Sequence, residues 1–314
     1  MSFLVVSDPL VPPSGLEGAY AAIGNFDGVH PGHRAVIARA VALAHAAGRP
    51  AVALTFEPHP ADHFAGRARV FRLTDPDQKL DALAAAGLDG AIVLTFDAAL
   101  AALDADSFER EVLVGRLGLS GVVVGADFHY GRGRTGDAAH LKAAGARLGF
   151  SVEVLAKASL DDLPEGASSS AVRHALEAGD VALAARWLGR PFAARGIVTA
   201  GQRLGRRLGF PTANVVPPET FRLRHGVYAV RVAVGAQTYG GVASFGRRPT
   251  FGGGEPWLET FVFDFDGDLY GRMIEVAFVE RLRGEEKFPD ETSLVAQMKR
   301  DEASARAVLA RADA

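Results

Sequence analysis

The sequence has no cysteine, which removes disulfides, thiolate nucleophiles and Cys-ligated zinc together and agrees with a reducing compartment. Aromatic residues able to stack on bases are sparse, with 2 Trp and 5 Tyr in 314 residues. No lysine and arginine run offsets the net charge of −3. A nucleic-acid surface needs a basic footprint, so that class of partner is not expected. The longest apolar runs, 51–56 and 91–96, have the length of strands; a membrane span needs ~20 such residues. Residues 1–18 carry only a short apolar stretch and no basic start, so no secretory leader is expected and the chain reads as cytoplasmic.

What is present is an ordinary globular composition, 48% hydrophobic and 23% charged. The length suggests two domains, because single cores stop growing well below it. Short apolar runs at 20–23, 51–56, 91–96, 121–124 and 152–155 alternate with helical patterns at 34–47, 77–86, 107–117 and 137–148. That alternation predicts an α/β domain around a parallel, Rossmann-like sheet with strands buried on both faces. Two capped helices are expected at 170–178 and 181–188. Gly189-Arg190-Pro191 then breaks the pattern, and five β-patterned segments follow (196–199, 226–234, 238–244, 258–265, 273–279) before a last helix at 293–311. This predicts a small antiparallel barrel with a terminal helix, and a division into domains 1–188 and 189–314.

Gly24-Asn25-Phe26-Asp27-Gly28-Val29-His30-Pro31-Gly32-His33 follows the first strand and opens the first helix. Glycines allow a sharp turn there, and a helix N-terminus favours anions. Two imidazoles at that mouth suit a triphosphate as charge moves onto pyrophosphate. Bare His-x-x-His is more often two solvent-facing residues, so the strand–turn–helix setting carries the weight. The sequence Gly131-Arg132-Gly133-Arg134-Thr135-Gly136 spells G-x-G-x-x-G but stands too far from its strand for a dinucleotide turn, and it reads as a mobile loop at the sheet's C-terminal edge. His59 and His63, with Asp62 between them, could mimic a metal site, but without a helical context or a third ligand they read as ordinary surface residues. In the second half, Gly201–Asn214 combines Gly201, Gly205 and Gly209 with Arg203, Arg206 and Arg207. The segment reads either as a basic phosphate flap or as a plain hairpin loop. Strand alternation places Glu259 in line with Phe261, Phe263 and Phe265, which marks a base in an apolar setting or a strand end in water.

Gly24–His33 resembles the His-x-Gly-His signature of the nucleotidyltransferase superfamily, and Asn25-Phe-Asp-Gly-Val-His30 is similar to its bacterial FAD synthetase branch. Thr55-Phe-Glu-Pro-His-Pro60, Gly125-Ala-Asp-Phe-His-Tyr-Gly131 and Ser168-Ser-Ser-Ala-Val-Arg173 agree with that branch. The resemblance implies nucleotide contacts at Gly24, Asn25, Phe26, Asp27, Gly32, Ser169, Ser170 and Arg173, with His30 and His33 catalytic. Ser170 stands where the family has Thr, which keeps the hydroxyl. Residues 195–300 resemble a riboflavin kinase domain through Gly205–Asn214, Gly226-Val-Tyr228, Gly246–Gly252, Glu259, Asp264–Gly271, Leu282-Arg283 and Lys287-Phe288. That likeness implies Mg²⁺ on Thr212 and Asn214, nucleotide contacts at Gly205, Arg206, Gly209 and Pro211, and Glu259 as base. Flavin contacts are implied at Asp127 and Arg283. Ala171 and Arg247 depart from the expected residues without removing a chemical group.

Together the likenesses imply a bifunctional flavin-cofactor enzyme. ATP is its co-substrate, and it makes FMN from riboflavin and FAD from FMN. Small molecules are the expected partners, with neither nucleic acid nor membrane, and an oligomer is compatible. Two other readings stand beside it. One half could have drifted to another nucleotidyl acceptor, such as a pantetheine or nicotinate phosphate, or the protein could store flavin without turnover.

Overall fold

The computed structural model describes residues 3–156, 166–199, 208–247 and 256–312. They form two compact units, Met1–Val70 with Thr74–Ala167 and Phe71–Leu73 with Ser168–Ala314.

In the first unit β1 (Leu4–Ser7) and β2 (Tyr20–Ile23) precede α1 (Pro31–Ala46). Then come β3 (Ala51–Glu57), α2 (Pro60–Ala65), α3 (Pro76–Ala85), β4 (Gly90–Thr95), α4 (Ala98–Ala102) and α5 (Ala105–Ser107). A π-helical segment, Phe108–Arg116, leads to β5 (Gly121–Gly125), a hairpin of β6 (His129–Tyr130) and β7 (Gly136–Asp137), α6 (Ala138–Leu148) and β8 (Ser151–Leu155). The main sheet has the order β1-β4-β3-β2-β5-β8, with every neighbouring pair parallel. The chain runs from β2 outward to β3 and β4, then returns to the other side of β2 to form β5. This reversal opens a crevice at the C-terminal ends of β2 and β5, where open α/β sheets bind ligands. The expected parallel sheet is therefore present, with β1 added. The leading strand escapes a sequence reading because it lies at the sheet edge with Leu4 and Val5 partly exposed, and so has no buried-strand pattern.

The glycine-rich 131–136 segment is not a mobile loop. It is the turn of the β6–β7 hairpin, its Arg132 N–H donates to Leu103 O at 2.7 Å, and a Cβ at Gly131 would meet the Ala105 nitrogen at 2.7 Å. Tyr130 donates its hydroxyl to the fully buried Glu109 carboxylate, and Arg147 holds the other oxygen at 3.0 Å. A glycine-rich spelling thus marks close packing here rather than freedom.

The second unit contains α7 (Ser169–Ala178), α8 (Val181–Leu188), β9 (Ala193–Ile197), β10 (Thr212–Val215), β11 (Gly226–Val234), β12 (Gln237–Arg247), β13 (Pro256–Val262), β14 (Met273–Arg283) and α9 (Glu291–Ala312). Its antiparallel sheet has the order β10-β13-β12-β11-β14-β9. A bridge from Thr199, just past β9, to Asn214 in β10 joins the two edges and curls the sheet into a barrel. Val172, Leu176, Val181 and Leu188 of α7 and α8 share a core with Phe192, Tyr228 and Phe278. These helices are therefore compact with the barrel, whereas the division expected at 188 puts them with the first half. Ala305, Val308 and Leu309 pack α9 on Phe263 and Ala229.

Arg283 at the end of β14 anchors α9 with a two-pronged pair to Asp301, at 2.9 Å and 2.7 Å, and Asp301 is 5% exposed. Asp301→Asn leaves the guanidinium without a counter-charge in a partly buried place. It is expected to lower the stability of this unit by about 3 kcal/mol. Both tryptophans, Trp187 and Trp257, lie in this unit, so a urea titration followed by their fluorescence checks the value directly.

Candidate functional site

The 24–33 loop leaves β2 with the Gly24 N–H bonded to Leu54 O at 3.1 Å. Phe26 (φ 49), Gly28 (φ 86) and Val29 (φ 41) then take left-handed backbone angles. For Val29, a β-branched residue, this is an outlier that costs about 1–3 kcal/mol and persists only under restraint. The restraint is visible. Phe26 and Val29 are buried, and Asp27 is 2% exposed. The Asp27 carboxylate accepts the Thr74 N–H at 3.1 Å and its hydroxyl at 3.3 Å, while Thr74 Oγ1 accepts the Gly28 N–H at 3.2 Å.

The strained turn delivers His30 to the N-cap of α1, where its Nδ1 accepts the His33 N–H at 3.4 Å. The two imidazoles stack with centroids 3.7 Å apart, and Phe26 meets His33 edge-on at 5.4 Å. Gly32 follows Pro31 in the first turn, where helix N–H groups lack intrahelical partners. Burial lowers the His30 pKa to about 4, against the opposing pull of the Asp27 and Asp127 charges. Burial, together with the neighbouring His30, also holds His33 well below the usual imidazole range. Both rings are therefore neutral at pH 7. His33 Nδ1 is buried and has no hydrogen-bond partner among the described residues, and such an orphan at a helix mouth fits a ligand atom. Asn25 O accepts the Thr55 hydroxyl at 3.3 Å. Asp127 lies exposed just past β5, close enough to act on His30.

This neutrality sets a pH dependence of stability. In the unfolded chain these rings bind protons near 6.5, whereas folded His30 binds one only near 4. Their contribution is present above 6.5 and lost as pH falls toward 4. Far-ultraviolet circular dichroism should show the first unit destabilised across that window, with a smaller loss in His30→Asn, which keeps a helix cap.

Ser169, Ser170 and Arg173 belong to the second unit, in the first turns of α7, whose N-cap Ser168 accepts the Ala171 N–H at 3.1 Å. Arg173 Nε donates to Phe71 O at 2.7 Å.

The barrel's candidate site is defined by strand register. Asn214 on β10 stands directly opposite Glu259 on β13, and Thr212 opposite Phe261. Opposed residues of an antiparallel pair project to the same face, so Thr212, Asn214, Glu259 and Phe261 share one. Asn214 is 4% exposed at the barrel seam, where its carbonyl accepts the Thr199 N–H at 2.8 Å. Its Nδ2 donates to Thr212 O at 3.4 Å. Pro211, Thr212 and Asn214 line a concavity with Phe265, Asp268 and Tyr270. Gly209 (φ 86) makes the turn before Pro211. Gly201, Gly205, Arg203, Arg206 and Arg207 of the expected basic flap lie outside the described residues.

The expected line of Glu259, Phe261, Phe263 and Phe265 holds in part. Phe261 and Phe263 meet at 5.7 Å and pack toward α9. However, β13 ends at Val262 and Asp264 turns the chain with φ 55, so Phe265 packs with the barrel core instead. Arg283 is the pair of Asp301 described above and also donates to Gly284 O at 2.9 Å. A sequence reading has no access to that engagement. His59 and Asp62 serve locally, His59 capping α2 and Asp62 accepting the Arg69 and Val70 N–H groups. Thr74 and Lys79, which brace the first loop, were not singled out. The signal available was the capped start of α3, Thr74-Asp75-Pro76-Asp77-Gln78.

A doubly wound α/β unit whose helix mouth is of the kind that favours anions, followed by an antiparallel barrel carrying a carboxylate opposite neutral oxygen donors, is the architecture of a two-site nucleotide-using transferase. The family model for FAD synthetase matches residues 13–170, and that for riboflavin kinase matches residues 188–309. The chain is 42% identical over 295 residues to the bifunctional riboflavin kinase/FMN adenylyltransferase of Pseudomonas fluorescens, covering 94% of each chain. It is 41% identical over 294 residues to the protein of the same name from Escherichia coli (strain K12), covering 92% of each. A crystal structure from Streptococcus pneumoniae described as a macrolide-efflux protein aligns with a TM-score of 0.84 at 28% identity, over 96% of this chain and 98% of that one. The efflux description is that protein's own, and among the described residues no helix is long and apolar enough to cross a membrane. The chain belongs to the bifunctional riboflavin kinase/FMN adenylyltransferase family.

Proposed function

We propose that the barrel phosphorylates riboflavin to FMN and that the α/β unit adenylylates FMN to FAD, both at the expense of ATP. The register that sets Glu259 across from Asn214 is the observation that carries the kinase assignment. The Glu259 carboxylate takes the proton of the ribityl 5′-hydroxyl as that oxygen attacks the γ-phosphorus. The γ-phosphorus–oxygen bond to ADP breaks, and ADP leaves. Thr212 and Asn214 offer neutral, hard oxygen donors on the same face, a set suited to Mg²⁺ shared with nucleotide phosphates. When bound there, Mg²⁺ supplies charge neutralisation of those phosphates.

In the α/β unit, a phosphate oxygen of FMN attacks the α-phosphorus of ATP. The bond to pyrophosphate breaks, and FAD and pyrophosphate result. His30 and His33, neutral and stacked at the helix mouth, donate hydrogen bonds to the oxygens on which charge grows, alongside the first amides of α1. Asp127 is the flavin-side residue of this reading. The Ser169–Arg173 element enters it through the family likeness alone. A supply of ATP and riboflavin places the work in the cytoplasm. Incubation with riboflavin, ATP and Mg²⁺, with the flavins followed by chromatography, tests the proposal. FMN first and FAD after it supports both halves, FMN alone redirects the first half to another acceptor, and neither product overturns the reading.

A further inference from the structure

Lys79 is 1% exposed, and nothing in the reaction above uses it. A buried ammonium is costly unless it is paired and hydrogen-bonded. Lys79 satisfies that condition with Glu57 Oε1 at 2.5 Å, Thr55 Oγ1 at 3.2 Å and Phe56 O at 3.4 Å. Such a pair is weak evidence for stability, since an apolar residue of similar volume often serves as well. Its placement suggests a different use. Thr55, whose hydroxyl oxygen accepts from the ammonium, donates its own O–H to Asn25 O, at the start of the strained turn. Lys79 lies in α3, and Thr74, in the segment that leads into that helix, fixes Asp27 and Gly28. A capping box between Asp75 and Gln78 stiffens that helix start, with bonds of 2.7 Å and 3.1 Å. The loop with three left-handed residues is thus clamped at two points by one rigid element.

We infer that Lys79 is a positioning residue for adenylyl transfer, acting through the Thr55 hydroxyl to hold the 24–29 turn, and hence His30, in register with the helix mouth. The inference rests on the reading that this turn carries the ATP phosphates. It predicts that the ammonium matters for the rate beyond any effect on folding, because small displacements of a reacting geometry are expensive.

The test uses the full chain with Lys79→Met, Thr55→Val and the double variant. FAD formation from supplied FMN and ATP is measured beside FMN formation from riboflavin and the melting curve. Lys79→Met is expected to lower kcat for FAD formation roughly 10- to 100-fold, with FMN formation within about twofold of the parent. Thr55→Val should move in the same direction, and the double variant should be no worse than the poorer single one. A Lys79→Met enzyme that melts earlier but keeps the parent's kcat and KM for ATP overturns the inference, and so do additive losses in the double variant. If Lys79→Met does not fold, Lys79→Met/Glu57→Gln removes the pair without stranding a charge, and Thr55→Val tests the relay separately. A parent chain that forms no FAD rejects the underlying site reading, and the inference with it. An active parent beside an unimpaired variant rejects the inference alone.

Discussion

His30→Ala is expected to reduce FAD formation from FMN and ATP roughly 10²- to 10³-fold while leaving FMN formation from riboflavin within about twofold. The size follows from what the ring supplies. His30 is neutral in the fold, with a pKa of about 4, so in the proposed reaction it would act as a preorganised hydrogen-bond donor to an oxygen gaining charge and not as a fixed cation. Loss of one such donor from a partly desolvated site carries the penalty seen when an oxyanion donor is removed. The substitution also deletes the acceptor of the His33 N–H, loosening the first turn of α1. The neutrality has its own signature, because kcat/KM reports the free enzyme. Once the ionisation of the substrate phosphates at about pH 6 is divided out, the profile for FAD formation should show no imidazole limb near pH 6.5, and it should fall only as the solution approaches pH 4. An acid limb centred at 6.5 beyond that of the substrate phosphates, or equal loss of both activities in a folded His30→Ala chain, would reject the assignment.

The parts of this enzyme legible in its sequence are those whose pattern is local. Continuous apolar strands such as Ala51–Glu57 are buried on both faces, and caps such as Asp75 and Asp137 announce their helices. The strand β10 escapes a sequence reading because its four residues, Thr212–Val215, follow a turn and contain Asn214. Their pairing with β13 comes from a strand more than forty positions away, so no local pattern reveals it. The same distance hides the opposition of Asn214 and Glu259, although each residue was singled out separately. The packing of α7 and α8 with the barrel was also out of reach. Their apolar faces can be read, but not the core that receives them. The bracing of the 24–33 turn by Thr74 and Lys79 spans about fifty residues and depends on buried polar contacts that composition cannot show. The backbone strain at Phe26 and Val29 is a further departure from local preference, and such departures gather where a site is held for function.

The complementary expectation concerns the barrel. Glu259→Gln should lower FMN formation roughly 10²- to 10⁴-fold, the usual worth of a positioned base, while FAD formation from supplied FMN continues at the parent's rate. Glutamine keeps the length and the neutral contacts of the strand, so the pairing of β13 with β10 and β12 should survive, and tryptophan fluorescence from Trp257, two residues away, reports whether it does. On the proposed reading the variant removes only the capacity to take the ribityl proton. KM for ATP should therefore change little, because the phosphates are held by other groups, and the loss should fall on kcat. Asn214→Ala separates the two roles on that face. On the proposed reading it deletes an oxygen donor available to Mg²⁺ without touching the base, so it should raise the Mg²⁺ concentration needed for half-maximal rate. A Glu259→Gln chain that still phosphorylates riboflavin within tenfold of the parent would move the base elsewhere. The register of β10 against β13 would then serve the metal and the barrel seam, and the proton would have to leave through another group or through water.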